Sequence, residues 1–262
     1  MKYEDIRCEV AEGAGIISFN RPESSNALRL QTLKELCQAL DELASDEQVR
    51  VVILRGEGKH FSAGADFAFL DYLIEIPATA VKDDIYRYFQ GAAKRLYHCE
   101  KPTIALVSGA AVTVACELSL ACDFRLISPN AMFQESWITL GLMPPLGGLF
   151  LLPRMVGLGR AKEMVLRGER IDAEKALAIG LASEVIEVDQ LDARGLALAK
   201  ELSSLSPIAY RSVKEALHRG LETTMASEWS TNALNQALLI GTEHFRNMVA
   251  AVKKKIQSRP SR

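Results

Sequence analysis

FSAGAD at 61–66 and SGAAVTVACELSLACD at 108–123 decide how this chain is read. Both stretches are small, tight and apolar. Each reads as a backbone turn running into or beside a helix. The first follows the apolar, β-branched run Val51–Leu54 and the turn Gly56-Glu57-Gly58. Gly64 within it permits φ > 0 and close approach of a ligand to the main chain. The second follows another apolar run, Thr103–Val107, which ends at Ser108-Gly109. From about Thr113 to Ala121 it reads as a helix of small residues. A helix start carries N–H groups without intrahelical partners and the positive end of the dipole. Two such turns facing one pocket make an oxyanion hole of backbone. Taken alone, the first stretch is more often a tight packing turn.

The second stretch also carries Glu117, one turn into its helix, between Cys116 and Leu118. A carboxylate in apolar surroundings is costly unless paired or used. Desolvation raises its pKa toward the acid–base range. The alternative is a helix-start carboxylate that satisfies the dipole.

Around these two stretches, strand and helix signals alternate. Ile16–Phe19 and Phe124–Ile127 are further buried strands, and Glu184–Val188 a fifth. Leu30, Leu33, Leu36, Cys37, Leu40 and Leu43 recur at helical spacing, as do Ile85, Tyr88, Phe89, Ala92 and Leu96 between Thr79 and Cys99. Such alternation is α/β. Beyond 155, glycines punctuate short helical pieces. Asp172 is an N-cap and Gly180 the C′ residue of the helix between them. Ser206-Pro207 starts a helix, and the pattern stays helical to 256 with breaks at Gly220 and Gly241. Trp229, Leu234, Leu238, Leu239 and Phe245 give this tail an apolar surface that must pack on the body or on another subunit. The expected organisation is an α/β core over 1–200 and a helical extension over 201–262, in one folding unit.

Net charge is −2, from 31 basic and 33 acidic residues, so no global field attracts nucleic acid or an anionic membrane. No apolar run reaches the ~20 residues of a membrane span. Five scattered cysteines without a CxxC read as reduced core residues of a cytoplasmic protein. Four histidines show no paired metal spacing, so no metal site is expected. Lys253–Lys255, with Arg259 and Arg262, form a solvated tail or a phosphate contact.

NRPESSNAL at 20–28, FSAGAD, the SGAA…CELSLACD block and the run Gly147-Gly148…Leu152-Pro153-Arg154…Gly157…Arg160-Ala161 together resemble the crotonase (enoyl-CoA hydratase/isomerase) superfamily. The resemblance spans about 10 to 256. It implies a core of repeated ββα units in a superhelix, a helical C-terminal trimerisation region, and a homotrimer or dimer of trimers. It implies a coenzyme A thioester as substrate and no separate cofactor. Carried over by position, the oxyanion hole is the N–H of Ala65 and of Val114, and Glu117 is the first catalytic glutamate. Glu23, Ser25 and Ala27 lie in the segment that resembles the adenine site. Ala65, Asp66, Phe67 and Ala68 resemble the strip along the pantetheine arm, and Lys253–Lys255 the basic residues near the CoA phosphates.

Two departures stand out. Thr113-Val114-Ala115 occupies a place that hydratases fill with glycines, and two β-branched side chains there narrow the approach and stiffen the turn. Trp137 stands where hydratases keep their second glutamate, and an indole donates but cannot accept. Glu135 lies two positions earlier, an offset that changes its reach. Pro145 stands where some relatives place an aspartate. With Phe67, Leu70, Met143 and Ile85, Trp137 is expected to shape a compact apolar acyl site. The reading is an enzyme that stabilises a thioester enolate with one strong acid–base group, by hydration, isomerisation or decarboxylation. The alternative is an acyl-CoA binding or assembly protein with little turnover. A serine hydrolase using Ser62 or Ser108 lacks a placed histidine.

Overall fold

The computed structural model describes residues 3–257. Arg259 and Arg262 of the basic tail lie outside the described residues, as does the side chain of Lys255. The chain divides into two compact units that meet at Ser203 and Ser204.

The first unit opens with a hairpin, β1 (Ile6–Ala11) and β2 (Ala14–Phe19). Glu12 and Gly13 between them both take positive φ, as a tight two-residue hairpin loop requires. β2 contains the strand expected at Ile16–Phe19, whereas β1 lies outside the expected strands, because it is half exposed and carries Arg7 and Glu9. Helix α1 (Leu30–Ser45) crosses to β3 (Val51–Gly56). Then come α2 (Phe67–Glu75), the short α3 (Ala78–Ala80), a π-helical turn at Val81–Ile85 and α4 (Tyr86–Tyr97). The single helix expected over Thr79–Cys99 is therefore widened in its first half. Next are β4 (Thr103–Val107), β5 (Ala110–Val112), α5 (Val114–Leu120), β6 (Phe124–Ile127) and β7 (Met132–Gln134). The unit continues through α6 (Gly148–Val156), α7 (Leu158–Arg167), β8 (Arg170–Asp172), α8 (Ala173–Ala178), β9 (Glu184–Val185) and α9 (Leu191–Ser203).

Six strands form one sheet in the order β1-β2-β3-β4-β6-β9, parallel except for the β1–β2 pair. Successive residues of a strand face opposite sides, and both sides here are covered. Ile17, Leu54, Ala105 and Ile127 join Leu33, Leu36, Ala92, Leu96 and Cys116 in the main core. Ile16, Ile53, Ile104 and Leu126 pack on the other side with Leu191 and Ala199 of α9. That two-sided burial is why the parallel strands read as continuous apolar runs. A smaller sheet, β5-β7-β8, stands apart. Its three-residue strands are too short to leave a periodic signal. The fifth strand expected over 184–188 is paired only at Glu184–Val185.

The second unit is helical: α10 (Pro207–Gly220), α11 (Met225–Ile240) and α12 (Glu243–Gln257). Ser206 Oγ caps α10 by accepting from the Ala209 N–H, and Arg219 ties α10 to Glu228 of α11. Trp229, Leu234, Leu238 and Phe245 are exposed.

Candidate active site

The two glycine-bearing turns lie side by side. The Phe61 N–H donates to Ser108 O at 2.7 Å, the Ser62 N–H to Ala110 O at 2.8 Å, and the Val112 N–H to Ser62 O at 3.2 Å. The Thr113 N–H then donates to Gln134 O at 2.8 Å. Gly64 sits at φ +94°, and a Cβ there would lie 2.4 Å from Thr113 Oγ1 and 2.8 Å from Val112 O. Only glycine fits this approach. Around Ala65 the main chain bonds on either side: the Leu28 N–H donates to Gly64 O and the Asp66 N–H to Leu28 O. The Ala65 N–H takes no part in that bridge. Val114 is the first residue of α5 and has no intrahelical acceptor. Val114's side chain is fully buried in the main core. So of the two β-branched side chains expected to narrow the approach, Val114 instead packs inward. Thr113 carries the strain, at φ 47° and ψ −111°.

The 20–28 segment is bound to this wall. Ser25 and Asn26 both take positive φ. The Ala63 N–H donates to Ser25 O, and Arg21 Nη1 donates to Ala27 O at 2.6 Å and to Asp66 Oδ2 at 3.0 Å. Asp66 also caps α2 by accepting from the Ala68 N–H. Ser25, Ala27, Ala65 and Asp66 are thus brought together, with Glu23, Phe67 and Ala68 exposed beside them. Ser62 Oγ accepts from the Gly64 N–H and His60 Nδ1 from the Ala110 N–H. Neither is arranged as a nucleophile with its base.

One turn into α5 lies Glu117, 1% exposed. Its Oε2 accepts from the Leu146 N–H at 2.8 Å and the Gly148 N–H at 2.7 Å. A Cβ at Gly148 would lie 2.9 Å from that oxygen, so any larger residue there would displace the Glu117 carboxyl. Oε1 accepts nothing. Burial raises the Glu117 pKa to about 7, against the lowering pull of those two N–H groups and of the Trp137 indole. Glu135 follows β7 and is fully buried, with both oxygens unpartnered. Burial, then the Glu117 charge, pushes its pKa well above the ordinary carboxylate value. The two-residue offset therefore does not take Glu135 away from Glu117. Trp137 is 4% exposed, and its indole N–H faces both carboxyls without completing a hydrogen bond of full geometry to either.

A cavity of about 840 Å³ lies between α4 and the 142–145 loop. Tyr86, Arg87, Gln90, Met143 and Pro145 are in its wall. Of the residues expected to line an acyl site, only Met143 is among them. Phe67 is exposed, Ile85 and Trp137 are buried in the core, and Leu70 is half-buried on α2. Tyr86 links the cavity to the carboxyls: burial, then the Glu117 charge, raises its pKa. Gln90 Nε2 donates to Pro145 O, one residue before the loop that cradles Glu117. Among the described residues no His, Cys, Asp and Glu side chains gather as a metal site. None of the described helices is long and apolar enough to cross a membrane.

Residues 9–258 match the family described as enoyl-CoA hydratase/isomerase. The chain belongs to that family. A crotonyl-CoA hydratase of Syntrophomonas wolfei is 33% identical over 259 residues, covering 97% of each chain. A short-chain-enoyl-CoA hydratase of Clostridium acetobutylicum is 34% identical over 226 residues, 85% of this chain and 84% of that one. The fold is likewise similar to the crystal structure of an enoyl-CoA hydratase from Bacillus anthracis, with a TM-score of 0.89 at 32% identity over 96% and 97% of the two chains. This is an enzyme of the hydratase/isomerase family, with a mixed α/β fold like those structures. The carboxyl cradle from Leu146 and Gly148 had one trace in the sequence, the Gly147-Gly148 pair. Tyr86 had none, because it reads as one more apolar residue of a helix.

Proposed function

We propose that this enzyme acts on an acyl-CoA thioester through an enolate held by the Ala65 and Val114 N–H groups, with Glu117 as the acid–base group. The observation that carries this is the asymmetry of Glu117. One oxygen is fixed by two backbone N–H groups while the other is unpartnered, in a buried position with a pKa of about 7. A carboxylate so held is oriented and basic near neutral pH. Fixed backbone donors aimed at a developing oxyanion are the usual companion of such a base. Glu23, Ser25, Ala27, Asp66, Phe67 and Ala68 line the approach for the CoA moiety, which is part of the substrate, and no further cofactor is needed. In hydration, Glu117 takes a proton from water as the oxygen adds to C3 and returns one to C2. In isomerisation it moves a proton between two carbons of the same thioester. Trp137, in place of a second glutamate, bounds the acyl site. The exposed apolar residues of α10–α12 are buried between copies in a trimer or dimer of trimers, and sedimentation equilibrium showing a monomer would remove that part.

Turnover of short enoyl-, aryl- and malonyl-CoA thioesters, followed spectroscopically, tests the reading. Glu117→Gln should lower kcat on the best substrate by about 10²–10⁴-fold while CoA binding persists. Unchanged turnover would sink the assignment. CoA binding without turnover of any thioester in the unaltered protein would leave an acyl-CoA binding or assembly protein.

A further inference from the structure

The wall around Glu117 contains more titratable chemistry than a one-carboxylate reaction uses. Glu135 and Glu117 are both buried and close enough to influence each other. Two carboxylates cannot both be ionised cheaply in such a place. Which one keeps the proton follows from their partners. Glu117 Oε2 accepts two backbone N–H groups, which stabilise a negative charge on that side chain. Glu135 accepts no hydrogen bond of full geometry.

The groups facing the pair are few. Cys116 of α5 faces Glu135, and its thiol is pushed well up, by burial first and then by Glu135. Trp137 faces both carboxyls, and Tyr86 of α4 faces Glu117. The charge of Arg125 reaches Cys116, but its donors go to the carbonyls of Leu181, Ser119 and Cys122. Among the described residues no cation is hydrogen-bonded to either carboxyl.

We propose that Glu135 is the second carboxyl of this site, a positioning residue that with Glu117 forms a buried pair holding one proton and one negative charge, the proton on Glu135 and the charge on Glu117. Glu135 thereby presents a neutral neighbour to Glu117 and spares the site a second negative charge when an enolate forms. This role rests on Glu117 acting as the base. The protonation of Glu135 does not, and it is measured without substrate.

Infrared spectra of the full chain, taken along a pH titration, read the proposal directly. At about pH 9, where ordinary carboxyls are ionised, a carboxylic-acid carbonyl band should remain, and it should be lost in Glu135→Gln. In Glu117→Gln the band should persist but titrate away at lower pH, because the neighbouring charge is gone. Absence of the band in the unaltered protein, its survival in Glu135→Gln, or an unmoved midpoint in Glu117→Gln would each overturn the pair. If Glu135→Gln fails to fold, the Glu117→Gln midpoint decides alone. Once a substrate is in hand, the pH–rate profile should lose its alkaline fall in Glu135→Gln. An alkaline fall equal in both proteins would refute the role while leaving Glu117 as the base.

Discussion

In the backbone wall of the site the main chain of Phe61 and Ser62 is laddered to 108–112 through the Phe61, Ser62 and Val112 N–H groups, and the Thr113 N–H continues to Gln134 O. In the carboxyl wall around Glu117 four buried polar atoms complete no hydrogen bond: Glu117 Oε1, both oxygens of Glu135 and Trp137 Nε1. The first wall is held by groups every residue possesses, so it survives side-chain change. The second wall depends on which side chains are present. An unsatisfied buried polar group costs about 1–3 kcal/mol, and sites of chemistry are where such cost is retained. Under the proposed function the backbone wall would set where an oxyanion sits, and the carboxyl wall which proton transfers are open.

The sharpest way to break this contrast is at Gly64. An alanine Cβ would sit 2.4 Å from Thr113 Oγ1, at φ +94°. Strain of about 1–3 kcal/mol adds to overpacking of about 1–3 kcal/mol. Gly64→Ala should cost on the order of 4 kcal/mol by urea unfolding. A loss under about 1 kcal/mol would mean the ladder gives way easily and is not the rigid side.

The carboxyl wall gives the next effect. The Glu117 pKa is raised from 4.5 to about 7, so the unfolded chain releases this proton first as pH rises. Stability from this group is complete below pH 4.5 and is lost as pH rises to 7. At about 1.4 kcal/mol per pKa unit, the loss is about 3 kcal/mol. Glu135 shifts the same way and adds to the loss. Urea unfolding at about pH 5 and about pH 8 should show a smaller fall for Glu117→Gln than for the unaltered protein. Parallel falls would show that burying Glu117 costs nothing, and the two walls would not differ as described.

The two walls were also unequally legible. Gly64, Gly109 and the runs around them announced the backbone wall, because tight turns between buried strands demand small residues. The alternation of strands and α1 was readable for the same reason, a periodicity imposed by burial. The β5-β7-β8 sheet was not readable, since three-residue strands carry no period. Glu117 was singled out by its apolar neighbours Cys116 and Leu118. Glu135 lies two positions from the place where hydratases keep a glutamate, and in the sequence that offset alone argues against it. Linear spacing does not show that the main chain after β7 turns its side chain toward Glu117. Trp137 reads in the sequence as standing at a glutamate's place, but its N–H facing both carboxyls is a matter of rotamer and burial, which no spacing records.

The smallest predicted effect tests the backbone wall at its most strained point. Thr113 is β-branched and holds φ 47° and ψ −111°, a region that side chains with a branched Cβ avoid. Such backbone strain costs about 1–3 kcal/mol. Glycine removes it, at a penalty of about 0.5–1 kcal/mol from the freer unfolded chain. The ladder bond from the Thr113 N–H to Gln134 O is main chain and survives the change. Thr113→Gly should therefore stabilise the protein by about 1 kcal/mol, read from the urea midpoint at constant slope. A loss greater than about 1 kcal/mol would show that the Thr113 side chain, packed on Gly64, is itself holding the turn. The backbone wall would then depend on side-chain identity as the carboxyl wall does.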